Sequence, residues 1–306
     1  MTIYVKETEA KLRLDKLLSI RFPQYSRQYF QYLIQQNLIL VNGLILKKGA
    51  KLKEGDEIEI EFIVTPEIRI EPEAIPLEIL FEDDHLIAIN KPAGMVVHPA
   101  VGNWSGTFVH ALLYHCKNLV KDQGLRPGIV HRLDKDTSGI LIAAKNTYTQ
   151  QLLVQMFANR QIKKEYLAIC IGNPGNRLIK GNIGRHPVKR KEMAVLQEKG
   201  REALTDCKSL AYNSFFSLVR LQPQTGRTHQ IRVHLKMVGT PILGDPIYGI
   251  SSINQKNKVY RQMLHAHEIF FTHPIHQKEI HLKAPIPHDM EKFIKLISPS
   301  YLSLII

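Results

Sequence analysis

Residues Gly128 to Asn146 read GIVHRLDKDTSGILIAAKN. An apolar lead, Ile129 and Val130, runs into a loop carrying His131, Arg132, Asp134, Lys135 and Asp136. Thr137-Ser138-Gly139 then turns the chain into Ile140–Ala144, an apolar run that reads as a buried strand. A polar loop held between buried elements is where a chain tends to place a working side chain. Asp134 is the candidate. Arg132 and Lys135 flank it, which favours the ionised carboxylate, and an ionised aspartate can act as a nucleophile. The plainer alternative is an Asp that caps a turn or pairs with Arg132, since Asp-rich loops ahead of strands are common. Spacing alone leaves both open.

His131-Arg132-Leu133-Asp134 with Thr137-Ser138-Gly139 resembles the HRLD-x-x-[ST]-[SG] signature of the RluA-type pseudouridine synthases. The resemblance implies that Asp134 is the catalytic carboxylate. Other blocks agree in order. Upstream, Asn90-Lys91-Pro92-Ala93-Gly94 and Val96-Val97-His98-Pro99 resemble the family's NKP-x-G-x-x-VHP motif. Lys91 follows a strand there, which fits either a structural or a substrate-proximal role. Downstream, Lys163 to Ala168 resemble the K-x-Y-x-A block, which maps the active-site tyrosine to Tyr166. A phenol can stack on a displaced base or pass a proton; without the resemblance, Tyr166 reads as a packed strand aromatic. Thr225 to Leu235 form the second long block and place the family's catalytic-site arginine at Arg232. Its planar fork suits a bidentate hold on a carboxylate. That block continues through Pro241 to Gly249, and Leu282 to Pro287 resemble the closing L-x-AP-x-P segment. His131, Arg132, Lys91, Arg227 and His229 are the expected substrate-binding residues, together with Arg185, Lys189 and Arg190 of the basic loop Gly184–Lys191.

Periodicity gives the elements between the motifs. Leu14, Leu17, Leu18 and Phe22 share one helical face. Ser26 can cap a second helix with Tyr29, Phe30, Leu33 and Ile34 inward, and Asn37 is a plausible stop. Asn42-Gly43 between apolar arms is a strong hairpin signal, and LKEGDEIEIEF supplies a closing strand. Residues 12–62 resemble an S4 RNA-binding domain, in which Arg27, Lys47, Lys48, Lys51 and Lys53 can meet phosphates. Pro66, Pro72 and Pro76 among glutamates suit an extended linker. The expected division is an S4-like domain over 1–64, a linker over 65–77 and a catalytic domain over 78–306. In the latter, Ile79–Asp83, Leu86–Ile89, Met193–Gln197, Leu204–Tyr212 and Phe215–Leu221 read as strands. Helices are expected over Phe108–His115, from a Thr147 cap through Arg160, and from a Thr228 cap toward Gly239.

Composition limits the function classes. The 306 residues carry a net charge of +13. Lys11–Lys53 holds nine Lys/Arg against one acid, Glu67–Asp84 one Arg against seven acids, and the chain from His85 onward thirty against thirteen. Two basic stretches separated by an acidic one point to a polyanionic partner. No run reaches the roughly 20 apolar residues of a membrane span, and no signal-peptide core opens the chain. Cys116, Cys170 and Cys207 are widely spaced, which suits a reducing cytosol and gives no thiolate metal site. His229 and His234 are five apart, unlike an HExxH pair. His265, His267, His273, His276 and His281 lack ligand spacing, so no metal site is expected.

The resemblance implies an α+β chain: an S4-like RNA-binding domain and a catalytic domain built on a long mixed, mainly antiparallel sheet with a central cleft. It implies isomerisation of uridine to pseudouridine with no cofactor. Within the family, the S4-like domain and the RHP-x-KR-x-x-MAV stretch point to 23S ribosomal RNA or the large ribosomal subunit as partner, in the stem-loop facing the small subunit. A cytoplasmic monomer is expected. Glu192 and the acidic linker depart from the pattern, and the linker leaves an RNA path across it in doubt. Three alternatives stay open: the same chemistry at other large-subunit uridines, a non-catalytic rRNA-binding assembly protein, and a metal-dependent RNA hydrolase using the histidines.

Overall fold

The computed structural model describes residues 1–23, 25, 27–63, 70–99, 103–117, 119, 127–189 and 192–300. The chain divides into two compact units, Met1–Arg69 and Ile70–Ile306.

The first unit comprises β1 (Thr2–Tyr4), α1 (Leu14–Arg21), α2 (Arg27–Gln35), β2 (Ile39–Val41), β3 (Leu44–Ile45) and β4 (Glu57–Ile60). The strands form an antiparallel sheet in the order β1-β4-β2-β3. Leu14, Leu17, Leu18, Phe30, Leu33 and Ile34 from the helices pack with Ile39, Val41, Ile58 and Ile60 from the strands. Asn42 (φ 52°) and Gly43 (φ 72°) both turn left-handed, as a tight two-residue hairpin requires. Asn37, at φ 61°, ends α2. Ser26 lies outside the described residues. Strand β1 was not foreseen, because three residues are too few to show a period; Ile3 pairs with Ile58.

The second unit comprises β5 (Ile79–Glu82), β6 (Leu86–Lys91), α3 (Phe108–His115), β7 (Ser138–Ala144), α4 (Thr147–Ala158), β8 (Lys163–Ile171), β9 (Arg177–Arg185), β10 (Met193–Leu196), β11 (Arg201–Tyr212), β12 (Phe216–Pro223), α5 (Gln230–Met237), α6 (Ser251–Lys256), β13 (Leu264–Thr272), β14 (Glu279–Lys283) and α7 (His288–Ile297). The ten strands make one sheet in the order β10-β9-β11-β12-β8-β13-β7-β6-β5, with β14 also on β13. Among the described residues, only β7 and β13 pair in parallel, so the sheet is mixed and mainly antiparallel.

All seven residues of β7 are buried. Leu141 and Ala143 face one core with Phe108, Val109 and Leu112 of α3, while Ile140, Ile142 and Ala144 face another with Leu153 of α4. Burying both faces stabilises the strand by roughly 1.5–3 kcal/mol per large side chain. The pairing of β7 with β13 is short: Ser138 meets His265, Gly139 meets Ala266, and from Glu268 onward β14 takes the same edge. A register shift between Ala266 and Glu268 marks this fork. Gly139 is required there. At φ 107°, a Cβ would stand 2.2 Å from the Ala266 carbonyl oxygen.

Two caps differ from expectation. Asn146, not Thr147, caps α4, its side chain accepting from the Thr149 N–H. His229, not Thr228, precedes α5, in a left-handed conformation. The described part of the acidic segment, 70–77, runs along the second unit instead of standing free. Ile70 and Leu77 pack on its core, and the Glu73 carboxylate accepts from the Gly106 N–H at 3.0 Å.

Candidate active site

The loop before β7 is tied down on several sides. The Thr137 N–H donates to the Asp134 carbonyl at 3.1 Å, and the Gly94 N–H donates to that of Lys135 at 2.9 Å. The Lys91 ammonium gives its donors to the carbonyls of Pro92, Met95 and Lys135, at 2.7, 3.0 and 3.0 Å. Burial pulls the Lys91 pKa down to about 7, against the charges of Asp136 and Asp134. Three acceptors for three N–H groups favour the ammonium, so Lys91 is charged and spent on backbone. Lys91 does not line the cleft and braces the Asp134 loop from behind, which is the structural one of the two roles its motif left open.

That cleft, of about 1440 Å³, is lined by Val130–Asp134, the start of β8, the turn after β12, the start of α5, and β13 with β14. It exceeds the roughly 300–1,000 Å³ of small-ligand sites, and so has room for a nucleotide with its neighbours. It brings together Asp134, Tyr166, Arg232, His131, Arg132, Arg227 and His229. Arg185 and Lys189 stand elsewhere, exposed on the β9–β10 hairpin, where Lys189 pairs with Glu192 at 3.3 Å. Arg190 lies outside the described residues.

Arg232 organises the site. Its Nη1 donates to Asp134 Oδ2 at 2.9 Å, while Nε and Nη2 clamp the two oxygens of Asp245 at 2.6 and 2.9 Å. Asp245 is fully buried and also accepts from the Ile247 and Tyr248 N–H groups. Burial works against the guanidinium, but the two carboxylates outweigh it and hold its pKa above the ordinary arginine value. One side of the fork is thus fixed, and the other presents Asp134, whose side chain stays 20% exposed. Arg232 also stands over the Tyr248 ring at 5.0 Å.

Tyr166 reaches the cleft from β8. Burial first, and the Asp134 charge second, push its pKa up, so it remains a phenol. His131 stacks on Phe157 at 4.6 Å, and its Nε2 accepts from the Ile142 N–H at 2.9 Å. Burial lowers its pKa to about 3, so it is neutral and structural. Arg227 spends Nε on the Glu202 carbonyl. In the first unit, Asp15 is fully buried and binds Arg13, Arg27 and Gln31. Burial opposes its charge, but these hydrogen bonds, Arg27's first, lower its pKa. Lys47, Lys48, Lys51 and Lys53 are exposed.

Among the described residues, two groups of metal-type donors converge outside the cleft, Glu82–His115–Cys116 and Asp83–His273–His276, each within 4.8 Å. Both are engaged already. Lys145 holds Glu82 at 2.8 Å. His273 Nδ1 accepts from the Ile275 and His276 N–H groups, which leaves the proton on Nε2, facing Asp83 at 2.9 Å. No helix among the described residues is long and apolar enough to cross a membrane.

One guanidinium nitrogen thus grips Asp134 beside a buried phenol, while the two-point hold that the fork was expected to give that carboxylate falls on Asp245 instead. Residues 85–237 match the family model for RNA pseudouridylate synthase, and residues 12–58 match the S4 domain. The chain is 42% identical over 301 residues to ribosomal large subunit pseudouridine synthase D of Nitrosomonas europaea, covering 96% of this chain and 86% of that one. The chain belongs to the RNA pseudouridylate synthase family. The synthase is also 38% identical to the D enzyme of Escherichia coli (strain K12), over 98% of this chain and 95% of that one. Among solved structures, it resembles Human RNA Pseudouridylate Synthase Domain Containing 1, with TM-score 0.56, 28% identity and coverage of 70% and 84%. The synthase contributes three site residues that sequence reading did not single out: Asp245, Tyr248 and Lys164, which lines the cleft and stands 5.5 Å from the Phe157 ring centroid. Gly244-Asp245 and Tyr248-Gly249 were visible as part of a motif, but nothing local showed what they hold.

Proposed function

We propose that this synthase converts specific uridines to pseudouridine in large-subunit (23S) ribosomal RNA, in the stem-loop facing the small subunit, with Asp134 acting at the sugar. The N1–C1′ bond breaks, the uracil turns in place, and a C5–C1′ bond forms. N1 gains a proton and C5 loses one. Cleavage builds oxocarbenium character at C1′, which an adjacent carboxylate stabilises as in glycosidases. The observation that carries this is the Asp134–Arg232 pair at 2.9 Å, opening on a cleft that also holds Tyr166. Arg232 holds the carboxylate in place and aimed at the cleft. Tyr166, a phenol at rest, stacks on the turning base and can pass a proton. The target base leaves its stack at a cost of a few kcal/mol, offset by cationic contacts from Arg132 and Arg227 in the cleft and from Arg185 and Lys189 on the hairpin.

The division of labour is that the first unit holds RNA through Arg27, Lys47, Lys48, Lys51 and Lys53, and the second, into which residues 70–77 pack, does the chemistry. The names of the relatives support the ribosomal target, and such an enzyme works in the cytoplasm where ribosomes assemble. The test is to map pseudouridines in rRNA from cells lacking the gene, then restore wild type or Asp134→Asn. Loss of specific sites, regained with wild type alone, is expected. Regain with Asp134→Asn points to a non-catalytic role in assembly.

A further inference from the structure

His229 sits where the backbone resists it. It takes a left-handed conformation (φ 56°, ψ 20°) just before α5, a region that few non-glycine residues enter. Its ring faces two ways. Nδ1 lies 2.9 Å from the Tyr248 hydroxyl, and Nε2 lies 3.9 Å from Asp134 Oδ1.

The hydrogen bonds fix where its proton is. The Met193 N–H donates to the Tyr248 oxygen at 2.8 Å. Among the described residues, that hydroxyl has one acceptor in reach for its own proton, His229 Nδ1. Arg232 and Lys236 lie over the Tyr248 ring at 5.0 and 5.5 Å, and cations there make the O–H a better donor. Nδ1 therefore accepts, and in a neutral ring the proton is on Nε2. Burial favours the neutral ring and lowers its pKa, with Arg232 and Arg132 acting the same way against Asp134 and Asp245. The cleft thus presents an N–H donor and a carboxylate acceptor 3.9 Å apart. That is too far for a direct hydrogen bond, and an oxygen set to one side of the gap can reach both groups.

An oxygen in that place must accept from His229 and donate to Asp134. Uracil O2 and O4 and the phosphate oxygens cannot donate, and they would repel the carboxylate. With C1′ at Asp134, as the proposed function has it and on which this inference rests, the hydroxyl one carbon away is the 2′-OH. We propose that His229 and Asp134 together bind the 2′-hydroxyl of the target nucleotide, with the His229 tautomer set by Tyr248 and the Met193 N–H, so that the site selects ribose over deoxyribose at the reacting position.

The full-length protein and two synthetic RNAs test this, one with uridine and one with 2′-deoxyuridine at the target position. The wild type should favour the ribose substrate roughly tenfold to a hundredfold in kcat/KM, since a site built around a hydroxyl rejects the analogue lacking it. His229→Ala should lose most of that preference by slowing on ribose alone. Tyr248→Phe should lose part of it, with the histidine shifting from a single Nε2–H form toward a mixture in ¹⁵N spectra. In the wild type, the Nε2 resonance should move on binding the ribose RNA and stay put with the deoxy RNA. A full ribose preference in a folded His229→Ala protein overturns the proposal, as does a wild-type Nε2 signal indifferent to both RNAs. Failure of the wild type to form pseudouridine at all counts instead against the proposed function, because the ¹⁵N readout does not depend on turnover.

Discussion

The two units each hold a buried aspartate against arginine, and they use it in opposite senses. In the first unit, Asp15 is fully buried while its partners Arg13 and Arg27 keep 47% and 44% of their side chains exposed. The anion is the anchor and the cations are offered outward. In the second unit, buried Asp245 holds buried Arg232, and Arg232 in turn holds the part-exposed Asp134. There the cation is the anchor and an anion is offered to the cleft. On the proposed function, the first arrangement suits a surface that meets phosphates, and the second suits a centre that stabilises a developing cation at C1′.

The comparison breaks most severely at its outward anion. Asp134→Asn should lower turnover by at least about a thousandfold, as loss of a central catalytic group does, with folding intact. Asp245→Asn removes the anchor and leaves Arg232 buried with half its fork unpaired. Breaking such a pair costs about 3–5 kcal/mol, which a urea titration should show alongside lost activity. Asp15→Asn should cost about 1–3 kcal/mol and weaken RNA binding without changing the rate of chemistry at saturation. Smallest is Lys48→Gln, which should reduce affinity uniformly across RNA sequences and lower the salt slope by about one phosphate's worth.

Acid should also separate the units. Burial lowers the pKa of His131 and His265 to about 3 and of His234 and His267 to about 4. All four belong to the second unit. An unfolded histidine titrates near 6.5 and binds protons that the folded one refuses, so stability is full above about pH 6.5 and falls as pH drops toward 4. Differential unfolding of the second unit between pH 6.5 and 4, followed by exchange of its amides, checks this.

Much of the fold was legible because its strongest elements are also its most periodic. Phe108–His115 and Ile140–Ala144 emerged as read, and Asn42-Gly43 made its hairpin. Strand β9 escaped because RLIKGNIGR buries only Ile179 and Ile183 and dilutes the alternation with glycines. The site was legible where one loop or one motif carries it, as for Asp134, Tyr166 and Arg232. What each holds was not, since Asp134 and Arg232 are 98 positions apart and Lys91 meets Lys135 across 44. Lys91 read as a possible substrate contact because its motif shows a lysine at a strand end. Only three-dimensional packing reveals three carbonyls around its ammonium. His229 was expected at the substrate from its motif, but its tautomer depends on a tyrosine and a backbone N–H from two other segments.

The most direct measurement is single-turnover conversion of a large-subunit rRNA fragment by wild type and Asp134→Asn, with binding measured on the same samples. The account predicts rapid pseudouridine formation by wild type, and an Asp134→Asn protein that binds within a few-fold of wild type and yields no product. Undiminished product from a folded Asp134→Asn protein would contradict it.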